Sequence, residues 1–197
     1  MIYIEFISRE PTVPREIFRY IADQSTSWVQ SDRDLYIGQL GRTMRIGPHP
    51  PYMTFFRVGG LPRLQEWEEY FLSDEYYHNH RSFAMQRSLQ MVRDGCYDEI
   101  IETQKIAAGL YYLEFFVPEG NHSYIEACFR NRTNGTGGEL VMLLCRIGLL
   151  APRPGGIAGI RFDDHDSLEK FVRAAPREDS VEVEDAGLYR RFGSEIQ

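Results

Sequence analysis

The chain has 197 residues, a formal net charge of −7, 43% hydrophobic residues and 13% aromatics, which is enough to fill one large core or two small ones. Its arginines are scattered among acids, so no basic face is offered to phosphates and nucleic acid is not an expected partner. Met1 leads directly into an apolar segment without a basic leader, and no stretch reaches the roughly 18 apolar residues of a membrane helix, so the expected protein is soluble, cytoplasmic and away from membranes.

In chain order, residues 2 to 7 read as a short buried strand, apolar and aromatic with one acid, bounded by Glu10-Pro11. A helix is expected from Thr12, with Pro14 in its first turn and Ile17, Phe18 and Ile21 on its inner side. Leu35 to Met44 reads as a strand that reverses through Gly47-Pro48-His49-Pro50-Pro51 into a third strand, Tyr52 to Val58. Gly59-Gly60-Leu61-Pro62 starts a second helix, with Leu64, Trp67, Tyr70 and Phe71 at helical spacing. More helix is expected from Asp74 to Arg93, stopped by Gly95, and a fourth strand from Tyr97 to Lys105.

The second half repeats the order with shorter parts: strand Leu110 to Val117, helix Ser123 to Asn131, strand Leu140 to Leu149, strand Ile157 to Phe162 and a closing strand Ser180 to Phe192. Between the last two, Asp166-Ser167-Leu168-Glu169 resembles a capping box, with Asp166 or Ser167 as N-cap of a helix through Val172. The repetition extends to single residues. Arg42, Gly47, Pro48, Pro50, Arg57 and Leu64 meet Arg146, Ala151, Pro152, Pro154, Arg161 and Leu168 at a constant offset of 104, and Tyr3-Ile4-Glu5-Phe6 meets Tyr112-Leu113-Glu114-Phe115 at 109. Each half is then a β-α-β-β-α-β, ferredoxin-like unit, residues 1–106 and 110–197. One face of each sheet is covered by its own helices and the other must be buried elsewhere, so the two sheets are expected to face each other as an α+β, pseudo-dimeric barrel within one chain.

Phe56-Arg57-Val58-Gly59-Gly60-Leu61, and above all Ile160-Arg161-Phe162-Asp163-Asp164 followed by Asp166-Ser167-Leu168-Glu169, resemble the aromatic-Arg-aromatic-Asp-Ser-Leu-Glu passage of the NIPSNAP family. That family belongs to the dimeric α+β barrel superfamily, whose members include cofactor-independent monooxygenases, isomerases, cyclases and haem-using enzymes. The resemblance implies the fold and leaves the reaction open.

Glu5 and Glu114 fall in equivalent first strands, and Arg57 and Arg161 in equivalent third strands that neighbour them. A charge in a buried strand needs a partner. The expected pairs are therefore Glu5 with Arg57 and Glu114 with Arg161, on a lumen face beside Tyr3 and Tyr112, where the carboxylates act as general bases and the arginines and tyrosines bind an aromatic or apolar molecule for cofactor-independent oxygenation or isomerisation. The same residues also fit plain structural salt bridges in a non-catalytic ligand-binding or interaction protein with a filled barrel.

Residues present in one half only are the other leads. His49 and Tyr52 flank the first proline-rich turn, where an imidazole can exchange protons with a ligand, and Tyr76-Tyr77-His78-Asn79-His80 is an insertion placed to cover the lumen. His78 and His80 do not share a helix face, and no HExxH or CxxC supplies further ligands, so neither a metal nor another cofactor is expected. Cys96, Cys128 and Cys145 form an odd, widely spaced set that fits buried thiols in a reducing compartment. A homodimer of the whole chain is the remaining partner expectation.

Overall fold

A computed structural model describes residues 1–9, 35–48, 51–71, 89–151, 155–174 and 181–192. The expected helix at Thr12, His49 and the Tyr76 to His80 segment, including Tyr77 and His78, lie outside the described residues.

Eight strands close into one antiparallel barrel: β1 (Ile2–Arg9), β2 (Leu35–Arg42), β3 (Tyr52–Arg57), β4 (Leu89–Ile101), β5 (Leu110–Phe116), β6 (Glu139–Arg146), β7 (Gly156–Phe162) and β8 (Val183–Arg191). Three helices are described: α1 (Leu61–Phe71), α2 (His122–Thr133) and α3 (His165–Arg173). Around the barrel the order is β1-β3-β2-β8-β5-β7-β6-β4. The order β4-β1-β3-β2 in the first half therefore recurs as β8-β5-β7-β6 in the second, with β1 and β5 each flanked on both sides. Closure leaves no free edge, which removes the row of unpaired N–H and C=O groups that an open sheet presents.

Strand alternation sorts the side chains onto two faces. Ile2, Ile4 and Phe6 of β1, Ile37 and Leu40 of β2, Phe55, Tyr97, Leu113, Phe115, Leu144, Ile157 and Tyr189 form one buried cluster fed by all eight strands. This is the barrel interior. The expected lumen is occupied by this core. The opposite face packs under helices: Leu110, Ile160, Phe162 and Leu188 meet Ile125 and Phe129 of α2 and Leu168 and Phe171 of α3, while Tyr36, Phe56 and Val58 meet Leu64 and Trp67 of α1.

Several boundaries differ from expectation for local reasons. The helix expected to reach Arg93 has given way by Leu89 to β4, where Gly95 lies opposite Ile4 inside the strand instead of ending a helix. α3 starts at His165 and is capped by Asp164, whose carboxylate accepts from Ser167 N at 2.7 Å and Ser167 Oγ at 2.9 Å; the acid two residues before the expected cap supplies the acceptor for the free N–H groups of the first turn. α2 is capped by Asn121, whose Oδ1 accepts from Tyr124 N at 2.8 Å. At the β2–β8 seam Gly47 is required by space: a Cβ there would lie 2.6 Å from Gly187 Cα, at a φ of +120°.

Candidate functional site

The two first strands point their acids to the helix-covered face, away from the interior, because Ile4 and Phe6 on either side of Glu5, and Leu113 and Phe115 on either side of Glu114, belong to the inner core. The arginines have the opposite parity. Arg57 follows the inward Met53 and Phe55, and Arg161 stands opposite the inward Tyr111. The expected Glu5–Arg57 and Glu114–Arg161 pairs are thus on different faces of the sheet and do not form.

Each arginine instead takes a glutamate near the end of another strand, Arg57 one on β4, across β1, and Arg161 one on the adjacent β6. Arg57 Nε and Nη2 donate to Glu99 Oε2 and Oε1 at 3.2 and 2.9 Å, and Nη2 also donates to Thr103 O at 3.0 Å. These contacts hold the Glu99 carboxyl below its usual range despite the opposing effect of burial, and raise Arg57. Arg161 Nη2 donates to Glu139 Oε2 at 2.6 Å. Glu114 is 2% exposed and bound in a fork by Arg132 of α2, one arm of which, Nη2 to Oε1, measures 2.6 Å. The Arg132 guanidinium lies 5.7 Å from the Phe129 ring centroid and 5.3 Å from that of Phe171. That bidentate, aromatic-flanked pair satisfies the buried charge.

Glu5 has no such partner. Its cross-strand neighbours are Thr54 of β3 and Asp94 of β4, where Glu114 has Ala158 and Ala186. Among the described residues its carboxylate makes no hydrogen bond or ion pair. Burial, with the Asp94 carboxylate beside it, pushes the Glu5 carboxyl up to about 7. Tyr3 Oη donates to Asp94 Oδ2 at 2.7 Å, and burial, reinforced by Glu5 and Asp94, keeps that phenol protonated. On the far side of Thr54, Gln39 Nε2 donates to Thr54 Oγ1 at 3.0 Å, both residues being buried.

Beside these polar groups stands an aromatic wall. Tyr3 stacks on Phe56 with centroids 6.3 Å apart and meets Trp67 edge-on at 6.3 Å; Phe56 meets Trp67 at 5.4 Å and Tyr36 at 5.8 Å. Tyr52, on the same face, packs with Ile7 and with Phe192 at 5.0 Å between centroids. The equivalent wall of the second half is closed on itself: Tyr112 packs on Phe171 at 5.7 Å and Phe162 on Phe171 at 5.4 Å. Tyr3, Glu5 and Tyr52 are therefore gathered on one face, Tyr112 and Glu114 on the corresponding face of the other half, and Arg57 and Arg161 on neither.

Asp94, Thr54, Gln39 and Trp67 complete the first-half face and were not among the expected site residues. Asp94 was hidden behind a helical reading of the residues before it, although Val92-Asp94-Cys96 against Arg93-Gly95-Tyr97 has the two-residue alternation of a strand. Cys96 and Cys145 are buried and Cys128 is half-buried, and none of the three is in a disulfide. Among the described residues no group of three or more His, Cys, Asp or Glu could hold a metal ion, and no helix is long and apolar enough to cross a membrane.

Solved structures share this arrangement of strands and helices. An anthrone oxidase-like protein superimposes with a TM-score of 0.54 at 13% identity, over 96% of this chain and 90% of that one. The fold is a closed barrel of eight antiparallel strands with helices packed on its outer face. A chlorite dismutase variant from Candidatus Nitrospira defluvii, solved with cyanide, superimposes with a TM-score of 0.55 at 9% identity, over 96% of this chain and 89% of that one. No family model and no curated protein matches the sequence. At these identities the likeness shows the fold alone.

Proposed function

We propose that the chain binds a small aromatic molecule against the helix-covered face of β1, β3 and β4, and that Glu5 serves there as a general base. The observation that carries this reading is the difference between two equivalent acids: Glu114 is neutralised by Arg132, whereas Glu5 stands between Thr54 and Asp94 without a cation among the described residues. A carboxylate kept near neutrality is matched to proton transfer at physiological pH. Tyr3, Phe56 and Trp67 supply a surface for a planar ring, and the Tyr3 hydroxyl holds Asp94 in place beside the base.

The reaction class is removal of a proton from a phenol, or from a carbon made acidic by a neighbouring carbonyl, giving an anion that isomerises or is oxidised by dioxygen. The anthrone oxidase-like neighbour makes anthrone a reasonable first probe, and no resident cofactor is part of the proposal. Tyr112, Glu114, Arg57 and Arg161 belong to the framework, while Tyr52, His49, Tyr77 and His78 are proposed to border the ligand. The recurring strand order supports, as part of the same proposal, two tandem NIPSNAP-like copies of which only the first kept an active face.

The test is anthrone turnover, followed by dioxygen uptake, together with quenching of tryptophan fluorescence by 2-naphthol. Glu5→Gln is expected to lower turnover by about 10²-fold or more while leaving 2-naphthol binding within a few fold, and Trp67→Phe to remove most of the quenching. Wild-type turnover by Glu5→Gln, or loss of its cooperative thermal transition, would sink the assignment of Glu5 as a base.

A further inference from the structure

One polar row runs straight across the helix-covered face of the first half. Gln39 of β2 stands opposite Thr54 of β3, Thr54 opposite Glu5 of β1, and Glu5 opposite Asp94 of β4. In the second half the same places hold Leu143, Ala158, Glu114 and Ala186. The partners of the acid are thus apolar in one copy and polar in the other, so building the barrel does not require Gln39, Thr54 or Asp94.

The hydrogen bonds along this row are one-sided. Thr54 Oγ1 accepts from Gln39 Nε2 at 3.0 Å, and Thr54 is 2% exposed. That contact fixes the hydroxyl oxygen and leaves its proton to be donated, and among the described residues no acceptor takes it. Residues directly opposite on antiparallel strands have Cβ atoms about 4.5 to 5.5 Å apart, which puts the Glu5 carboxyl within reach of that proton. Of the titratable groups on the same face, Asp94 is itself an acid and Tyr3 donates to Asp94 Oδ2 at 2.7 Å. Cys96 stands opposite Tyr3, Tyr52 packs on Phe192, and α1 brings Leu64 and Trp67.

We infer that Thr54 is the positioning residue of Glu5: with its oxygen fixed by Gln39, its hydroxyl donates to the Glu5 carboxylate whenever Glu5 is ionised. The role rests on Glu5 being a base, as proposed above, whereas the bond itself does not. A hydrogen bond to the ionised form favours that form and limits how far burial and Asp94 raise the carboxyl. Once Glu5 takes up a proton the acceptor charge is gone and the bond weakens, so the hold on the carboxylate follows its protonation.

The experiment follows the Glu5 carboxyl by carboxyl-carbon NMR of the whole labelled chain, its resonance being the one that Glu5→Gln removes. Titration from about pH 4 to pH 9 spans the ordinary and the raised carboxylate ranges. Thr54→Val should raise the Glu5 midpoint by about one unit, Gln39→Leu should give part of that rise, and Thr54→Ser should keep the wild-type midpoint. The combined Gln39→Leu and Thr54→Val variant copies the apolar character of Leu143 and Ala158, so it decides the matter if either single variant folds poorly, and it should show the full rise. The pH profile of anthrone turnover should move to higher pH in the same order. A Glu5 midpoint unmoved in Thr54→Val and in the combined variant, or moved as far in Thr54→Ser as in Thr54→Val, would overturn the role of Thr54. The midpoint is read without ligand, so absence of wild-type anthrone turnover beside the expected shifts would strike the base and leave the Thr54 to Glu5 bond standing.

Discussion

Replacing Glu5 by Gln should change how the stability of this protein depends on pH. The Glu5 carboxyl rises from 4.5 to about 7 on folding, so between those values the native chain holds a proton that the unfolded chain has released. The stabilisation from that proton is complete below the unfolded value and is lost as pH rises through the folded one. At about 1.4 kcal/mol per unit, the shift amounts to about 3 kcal/mol of unfolding free energy surrendered by the wild type across that window. A glutamine cannot ionise and still fits between Thr54 and Asp94. Urea unfolding followed by circular dichroism at intervals from about pH 4.5 to pH 8 should therefore give curves that separate steadily, with Glu5→Gln the more stable at the alkaline end by up to about 3 kcal/mol. Curves that stay parallel within about 1 kcal/mol would refute the claim that Glu5 is held without a compensating cation.

The second-half pair should respond in the opposite manner. Arg132→Met leaves Glu114 buried without its cation and is expected to cost about 3 to 5 kcal/mol, whereas Arg132→Met combined with Glu114→Leu should recover most of that loss; equal instability of the single and double variants in urea would contradict it. Gly156→Ala places a methyl group 2.4 Å from the Phe116 ring and should destabilise by about 1 to 3 kcal/mol, read as a lower thermal midpoint. Tyr3→Phe keeps the aromatic wall and frees Asp94, so tryptophan quenching by 2-naphthol should persist while the pH profile of anthrone turnover shifts; an unchanged profile would detach Tyr3 from the base.

The architecture was legible because it rests on features written more than once. Alternating apolar residues, glycine and proline punctuation and the constant offset between Arg42 and Arg146 place seven of the eight strands within about three residues of their observed bounds. The location of the site was less legible, and the reason is parity. Glu5 and Arg57 are on neighbouring strands, yet a shift of one residue moves a side chain to the other face of a sheet; in the observed register Glu5 faces Thr54, and Arg57 faces Ile2. Register is a property of two strands together and cannot be read from either alone. The cation that neutralises Glu114 comes from the last turn of α2, a residue that the expected end of that helix at Asn131 leaves just outside. Asp94 escaped notice for a similar reason, since an acid before a glycine fits a helix end as readily as a strand.

The order of strands around the barrel also bears on how the chain is made. β8 inserts between β2 and β5, and its pairs with β2, Leu40 with Arg191 through Arg42 with Tyr189, join residues separated by most of the sequence. During synthesis β1 to β3 can pair soon after they emerge, but the ring has an open gap until Arg191 has left the ribosome, and both β2 and β5 wait with one edge unpaired. At about 5 to 20 residues per second that interval lasts several seconds, during which Ile37, Leu40, Leu113 and Phe115 have yet to be enclosed. The nascent chain, more than the finished barrel, is the form of this protein for which a chaperone has something to hold.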